Sequence, residues 1–184
     1  MDFNTDILID IFEYANNKFL KKDLFLIETD VSERSWYTRM AIYLTEKLAE
    51  FNSEYIVDTE YNRNMGKVKT IFDKSREMDI IKITCDIIIH SRGKNKLQDN
   101  LLCIEMKKSN RENENKLLDK RRLEVLTRTS YDDIWSADEN TLPKHVCGYL
   151  LGIYYEVNTI TKKIIIEYYA KGKNIKSEVI DIKK

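Results

Sequence analysis

A chain of 184 residues is long enough to bury one full core and too short for two ordinary domains, so a single domain is expected. Its 31 basic residues balance 31 acidic ones, so overall charge gives no push toward nucleic acid, and any such affinity has to be local. No apolar run approaches the roughly 20 residues that cross a bilayer, and Asp2 and Asp6 stand where a secretory leader wants basic residues, so a cytoplasmic protein without a membrane partner is expected.

Ile7, Leu8, Ile11, Phe12, Ala15, Phe19 and Leu20 recur at helical spacing and predict an amphipathic helix over residues 4–21. It reads as an N-terminal arm (residues 1–28) outside a core of residues 32–157, or as a dimer contact. Ser32 suits the N-cap of a second helix reaching Phe51, with Glu33 in the first turn at the positive end of the dipole. The apolar stripe of that helix is Tyr37, Met40, Ala41, Leu44 and Leu48. Glu33 lies one turn before Tyr37 on the same stripe, so it points toward whatever the helix packs on. Two readings stay open for it, a ligand or an acid that only complements the dipole. Glu46 and Glu50 face away.

Residues 55–61 have strand propensity, and the polar stretch 62–78 reads as a long excursion with room for a short helix. Two apolar runs follow, Asp86-Ile87-Ile88-Ile89-His90 and Leu101-Leu102-Cys103-Ile104, the second closed by Glu105-Met106-Lys107. A helix is expected over 109–128 and strands over 146–157, 163–170 and 177–182. Cys85, Cys103 and Cys147 sit in or beside apolar runs without Cys-x-x-Cys spacing, so they read as small buried hydrophobes rather than disulfides or a zinc site. The order of elements predicts an α/β fold, a central mixed β-sheet flanked by helices.

In a strand alternate side chains share a face, which puts Glu105 and Lys107 on one side and Ile104 and Met106 on the other. If the two runs pair antiparallel about Asn95 or Lys96, Asp86 falls opposite Glu105 to Lys107. Two carboxylates and an ammonium then meet at a strand end, a set suited to magnesium and phosphate chemistry. The tripeptide spacing alone carries little weight, because Glu114-Asn115-Lys116 and Asp181-Ile182-Lys183 match it too. Glu114 reads as a solvated helix face. For Asp181, a hairpin about Lys173 would bring Glu167 opposite, but no helix follows.

A helix with an inward glutamate, a three-stranded meander, an Asp then Glu-x-Lys, a helix and a strand together resemble the PD-(D/E)XK nuclease superfamily over residues 32–157. The resemblance implies the restriction-endonuclease-like fold and a Mg2+-dependent endonuclease, with Mn2+ able to substitute, that hydrolyses DNA phosphodiester bonds in restriction, phage defence or a mobile element. It makes Asp86, Glu105, Lys107 and Glu33 catalytic, with Asp86, Glu105 and Glu33 as metal ligands. The proline of the family's name is absent, since Cys85 precedes Asp86, and the N-terminal helix and C-terminal strands lie outside the match.

Between residues 107 and 128 basic side chains outnumber acidic ones eight to four, a local basic surface that would hold a phosphate backbone without reading bases. Lys108, Arg111, Lys120 and Arg121, with Arg63 from the cleft side, are the candidate nucleic-acid contacts. Glu60 and Tyr61 are further candidates for the cleft, and Asp119 and Arg122 resemble positions on the helix that flanks such sites, with no role assigned. A homodimer would make double-strand cleavage easiest. The competing expectation is an inactive nucleic-acid-binding or protein-interaction module of the same fold.

Overall fold

The computed structural model describes residues 2–61, 85–128 and 147–182 in full, with the backbone of residues 63–64, 67–68, 70–73 and 79–82. Helix α1 (Thr5–Lys22) starts where Asn4 Oδ1 accepts the Ile7 N–H at 2.9 Å, satisfying one of the free donors of the first turn. Leu8, Ile11, Phe12, Ala15 and Phe19 are fully buried. Phe12 meets Tyr155 and Tyr168 edge-on, with ring centres 6.2 and 6.0 Å apart. The helix expected as an arm is therefore part of the core, each buried Leu, Ile or Phe contributing about 1.5–3 kcal/mol.

A short helix that the sequence reading lacks, α2 (Leu24–Glu28), follows at once. Five residues are too few to show a helical period. It is fixed to α3 (Glu33–Ala49) by the Trp36 indole, whose Nε1 donates to the Leu26 carbonyl at 3.0 Å. Ser32 holds the N-cap position, but its hydroxyl lies 3.3 Å from Ser35 Oγ and makes no capping bond to the helix backbone.

Six strands form one mixed sheet: β1 (Ile56–Thr59), β6 (Ile87–His90), β7 (Asn100–Lys108), β8 (Leu151–Asn158), β9 (Lys163–Ala170) and β10 (Lys173–Asp181), in that spatial order. Two small hairpins lie between β1 and β6 in the chain, β2 (Arg63–Asn64) with β3 (Lys67–Val68), and β4 (Thr70–Asp73) with β5 (Asp79–Lys82). The described backbone of the polar excursion is thus strand, and the rest of residues 62–78, where a short helix had room, lies outside the described residues. Neighbours in the large sheet are antiparallel except β7 and β8. That parallel pair needs a crossover, which α4 (Asn113–Leu126) supplies.

Alternation along the strands makes two cores. Ile87 and Ile89, Leu102, Ile104 and Met106, and Ile153, Tyr155 and Val157 pack toward α1 and α3. Ile88, Cys103, Tyr154 and Tyr169 pack toward Leu123, Val125 and Leu126 of α4. The layers are helices, sheet, helix, and the period of two sends Glu105 and Lys107 to the α4 side. All three cysteines are buried and free, as expected. Among the described residues no helix is long and apolar enough to cross a membrane.

The C-terminal strands differ in register from the expectation. β10 begins at Lys173, and Glu167 lies opposite Ser177, while Asp181 faces Lys163. The second Asp-x-Lys spacing therefore gains no acidic partner across the hairpin.

Candidate active site

The β6–β7 pairing sets Ile87 against Ile104 and Ile88 against Cys103, so one further step toward the strand end brings Asp86 across from Glu105. The reversal runs through residues 91–99, where Gly93 takes φ 80° and donates its N–H to Asp99 Oδ1 at 2.7 Å. Asp86 Oδ2 accepts the Met106 N–H at 2.7 Å, which ties the acid to the end of the neighbouring strand. Lys107 Nζ lies 3.3 Å from Asp86 Oδ2 and 3.2 Å from Glu105 Oε2. Asp86, Glu105 and Lys107 thus converge on one point.

Helix α4 completes the cluster with two residues the sequence reading left without a role. Arg122 Nη1 donates to Glu105 Oε1 at 2.7 Å and to Asp119 Oδ1 at 3.0 Å, and Asp119 Oδ2 is 3.8 Å from Lys107 Nζ. A sequence signal for them exists. Asp119, Arg122, Leu123 and Leu126 follow i, i+3, i+4, i+7 spacing, so the two polar side chains share the inward stripe of α4.

Three carboxylates and two cations crowd a site where Glu105 is only 1% exposed and Lys107 18%. Burial raises the Glu105 pKa, the Asp86 charge adds to this, and Arg122 and Lys107 oppose it. Asp86 and Asp119 are raised for the same leading reason. Burial works against charge on Lys107, but Glu105, Asp86 and Asp119 outweigh it and hold the ammonium above its ordinary range. Lys107 accordingly carries its positive charge at neutral pH among these carboxylates.

Glu33 reaches the same strand end from α3. Its Oε1 accepts the Lys108 N–H at 2.8 Å, and Arg111 bonds both oxygens at 3.3 and 3.0 Å. Partial burial raises its pKa, but the bonds from Arg111 and the Lys108 backbone win and the net shift is downward. Glu33 and Asp86 line one shallow cleft of about 570 Å³, together with Arg34, Tyr37, Glu60 and Arg111. Glu60 closes its far side, held by Arg34 at 2.7 and 2.8 Å and by the Tyr37 hydroxyl.

The candidate nucleic-acid contacts divide. Lys108 and Arg111 stand at the cleft, although the Lys108 ammonium is drawn to Asp30 Oδ1 at 2.8 Å and over the Trp36 ring. Lys120 pairs with Glu167 at 2.6 Å and lies over Tyr154, and with Arg121 it lines a different groove beside Tyr169. The structure does not bring those two to the cleft. Tyr61 packs against His90, with ring centres 4.6 Å apart. The Arg63 side chain lies outside the described residues.

Among the described residues no three His, Cys, Asp or Glu side chains are grouped to hold a metal unaided. Magnesium does not need three, since one or two carboxylates completed by water and phosphate oxygens suffice. Asp86 and Glu105 fit that requirement in donor chemistry, each placing one oxygen within 3.3 Å of Lys107 Nζ and so near the other. Glu33 differs in its partners, its two oxygens being bonded by Arg111 and the Lys108 backbone rather than by Lys107. Comparison with family models, with curated proteins and with solved structures returns no match for this chain.

Proposed function

We propose that the protein is a magnesium-dependent endonuclease of the PD-(D/E)XK kind, hydrolysing phosphodiester bonds of DNA, with manganese able to substitute. The observation that carries the reading is the convergence of Asp86, Glu105 and Lys107 from two paired strands onto one point beside an open cleft. The succession α3, β1, β6, β7, α4, β8, with β8 parallel to β7, supports the restriction-endonuclease-like core. Restriction, phage defence or a mobile element is the setting such an activity suggests.

Asp86 and Glu105 would hold the magnesium ion, which when bound supplies Lewis acidity toward phosphate oxygens. Lys107 keeps its proton and neutralises charge that develops on the phosphate as the bond to the leaving oxygen breaks. Arg122 opposes the upward shift that burial imposes on the Glu105 carboxyl and fixes its rotamer. Arg34 and Arg111 at the cleft wall provide positive charge for the flanking backbone, and Glu33 orients Arg111.

The test is incubation of purified protein with linear, circular and single-stranded DNA and with RNA, in magnesium, manganese or EDTA, beside the Lys107→Ala variant. Cleavage that needs the metal and is lost in the variant is expected. Metal-independent cutting, or full activity in Lys107→Ala, would overturn the mechanism.

A second reading, an inactive binding or interaction module of the same fold, is favoured by one observation. Both oxygens of Glu105 are already engaged, by Arg122 and Lys107. Absence of turnover on every substrate would select it.

A further inference from the structure

β10 is the last strand of the sheet, and among the described residues no strand pairs with its outer edge. An open edge nine residues long presents a row of unsatisfied N–H and C=O groups and is normally blunted or paired. Two apolar side chains on this edge strand are exposed, Val179 at 61% and Ile175 at 44%. The charges along it are ordered, with Lys173 and Lys176 in the first half and Glu178 and Asp181 in the second.

That order is self-complementary. Reversing the regular part of the strand about Ser177 sets Lys176 against Glu178. Reversal about Glu178 or Val179 instead opposes Glu178 to itself or to an isoleucine, and like charges directly opposite disfavour pairing. Lys176 and Glu178 already share a face, 3.2 Å apart, so both stand ready on the same side of the sheet. The bulge between Asn174 and Lys176 interrupts the ladder near one end of β10 and leaves Ser177 in the regular part.

We infer that a second copy of this chain adds to the outer edge of β10, antiparallel and centred on Ser177, so that Lys176 of each copy faces Glu178 of the other. A two-fold pair of this kind uses the same patch on both copies and closes on itself, giving a dimer and not a fibre. The two six-stranded sheets become one continuous sheet.

Two measurements test this on the full chain. Sedimentation should give twice the chain mass of 21.9 kDa. Val179→Lys, at an exposed position, should weaken association at least about 10-fold by placing a charge on the edge. Lys176→Glu should do the same, and adding Glu178→Lys should restore the dimer, since both contacts are then exchanged together. Independently, Ser177→Cys should form an intermolecular disulfide on mild oxidation, because residues directly opposite in an antiparallel pair stand about 4.5–5.5 Å apart. The native cysteines are buried and do not compete. A chain that stays monomeric to about 200 μM, well above ordinary dimer constants, overturns the inference and leaves the edge to a strand from another protein. A dimer indifferent to Val179→Lys and uncrosslinked through Ser177→Cys overturns it as well.

Discussion

Arg122 and Glu105 are joined at 2.7 Å across the space between α4 and β7, and the arginine is the only contact that Glu105 Oε1 makes with a cation from the helix layer among the described residues. Removing Arg122 leaves three carboxylates facing one ammonium. Arg122→Ala is expected to cost about 3 kcal/mol, the lower end for breaking a buried pair, because the arginine is itself partly exposed. Glu105→Gln leaves two carboxylates against two cations and should cost less than about 1.5 kcal/mol while abolishing hydrolysis. Urea unfolding of the two variants decides the matter. A larger loss for Glu105→Gln would show that the site is not limited by its excess of negative charge.

Magnesium should stabilise the folded chain through Asp86. At about 100 times its dissociation constant a ligand of the native state adds about 2.7 kcal/mol, a rise of several degrees in Tm for a chain of this size. The rise is expected in wild type, reversed by EDTA, absent in Asp86→Asn and retained in Arg111→Ala, whose partner is Glu33. An equal rise in Asp86→Asn would place the ion elsewhere. This thermal readout is separate from turnover.

The register that brings Asp86 to Glu105 was legible because a hairpin fixes it by its midpoint, and Ile87 against Ile104 has its centre between Asn95 and Lys96. The inward face of β7 was legible for the same reason of period two, with Ile104 and Met106 in one core and Glu105 in the other layer. Composition hid α4. Half of its residues are charged, so Asp119 and Arg122 look like a solvated face until they are set on one stripe with Leu123 and Leu126. Glu114 on the same helix is indeed exposed, which is why an acid two residues before a lysine cannot be read without its neighbours. The destination of long side chains was not legible at all. Lys120 turns to Glu167 on β9, a partner set by tertiary packing 47 residues away.

Asp58 on β1 ties the far end of β6 to the turn that follows it. Arg92 bonds its carboxylate at 2.6 and 2.9 Å, and His90 Nε2 lies 2.8 Å away. Burial raises the Asp58 pKa, but Arg92 and His90 outweigh it and the net shift is downward. A depressed folded-state pKa contributes stability that is present above the unfolded value of about 3.9 and is lost as pH falls through the folded value. Asp58→Asn should therefore cost about 1–3 kcal/mol at pH 7, with the gap to wild type closing below about pH 4. Chemical denaturation at pH 7, 5 and 3 checks this. A gap that is constant with pH would assign the loss to packing instead of charge.

Gly152 on β8 sets how closely α4 approaches the sheet. A Cβ at that position would stand 3.0 Å from Thr127 Cγ2 and 3.4 Å from Leu123 Cδ2 and from Tyr169 Cβ. Thr127 cannot easily turn away, because its hydroxyl donates to the Leu123 carbonyl at 2.9 Å and accepts the Gly172 N–H at 3.2 Å. Gly152→Ala should thus push the end of α4 outward and cost about 1–3 kcal/mol. Because Asp119 and Arg122 ride on the same helix, hydrolysis should fall about 10-fold or more at temperatures where the variant is still folded. Thr127→Ser keeps both hydroxyl bonds and removes the obstructing methyl, so the double variant should recover stability and activity together. Recovery of stability without activity would mean that α4 does not position the catalytic cluster.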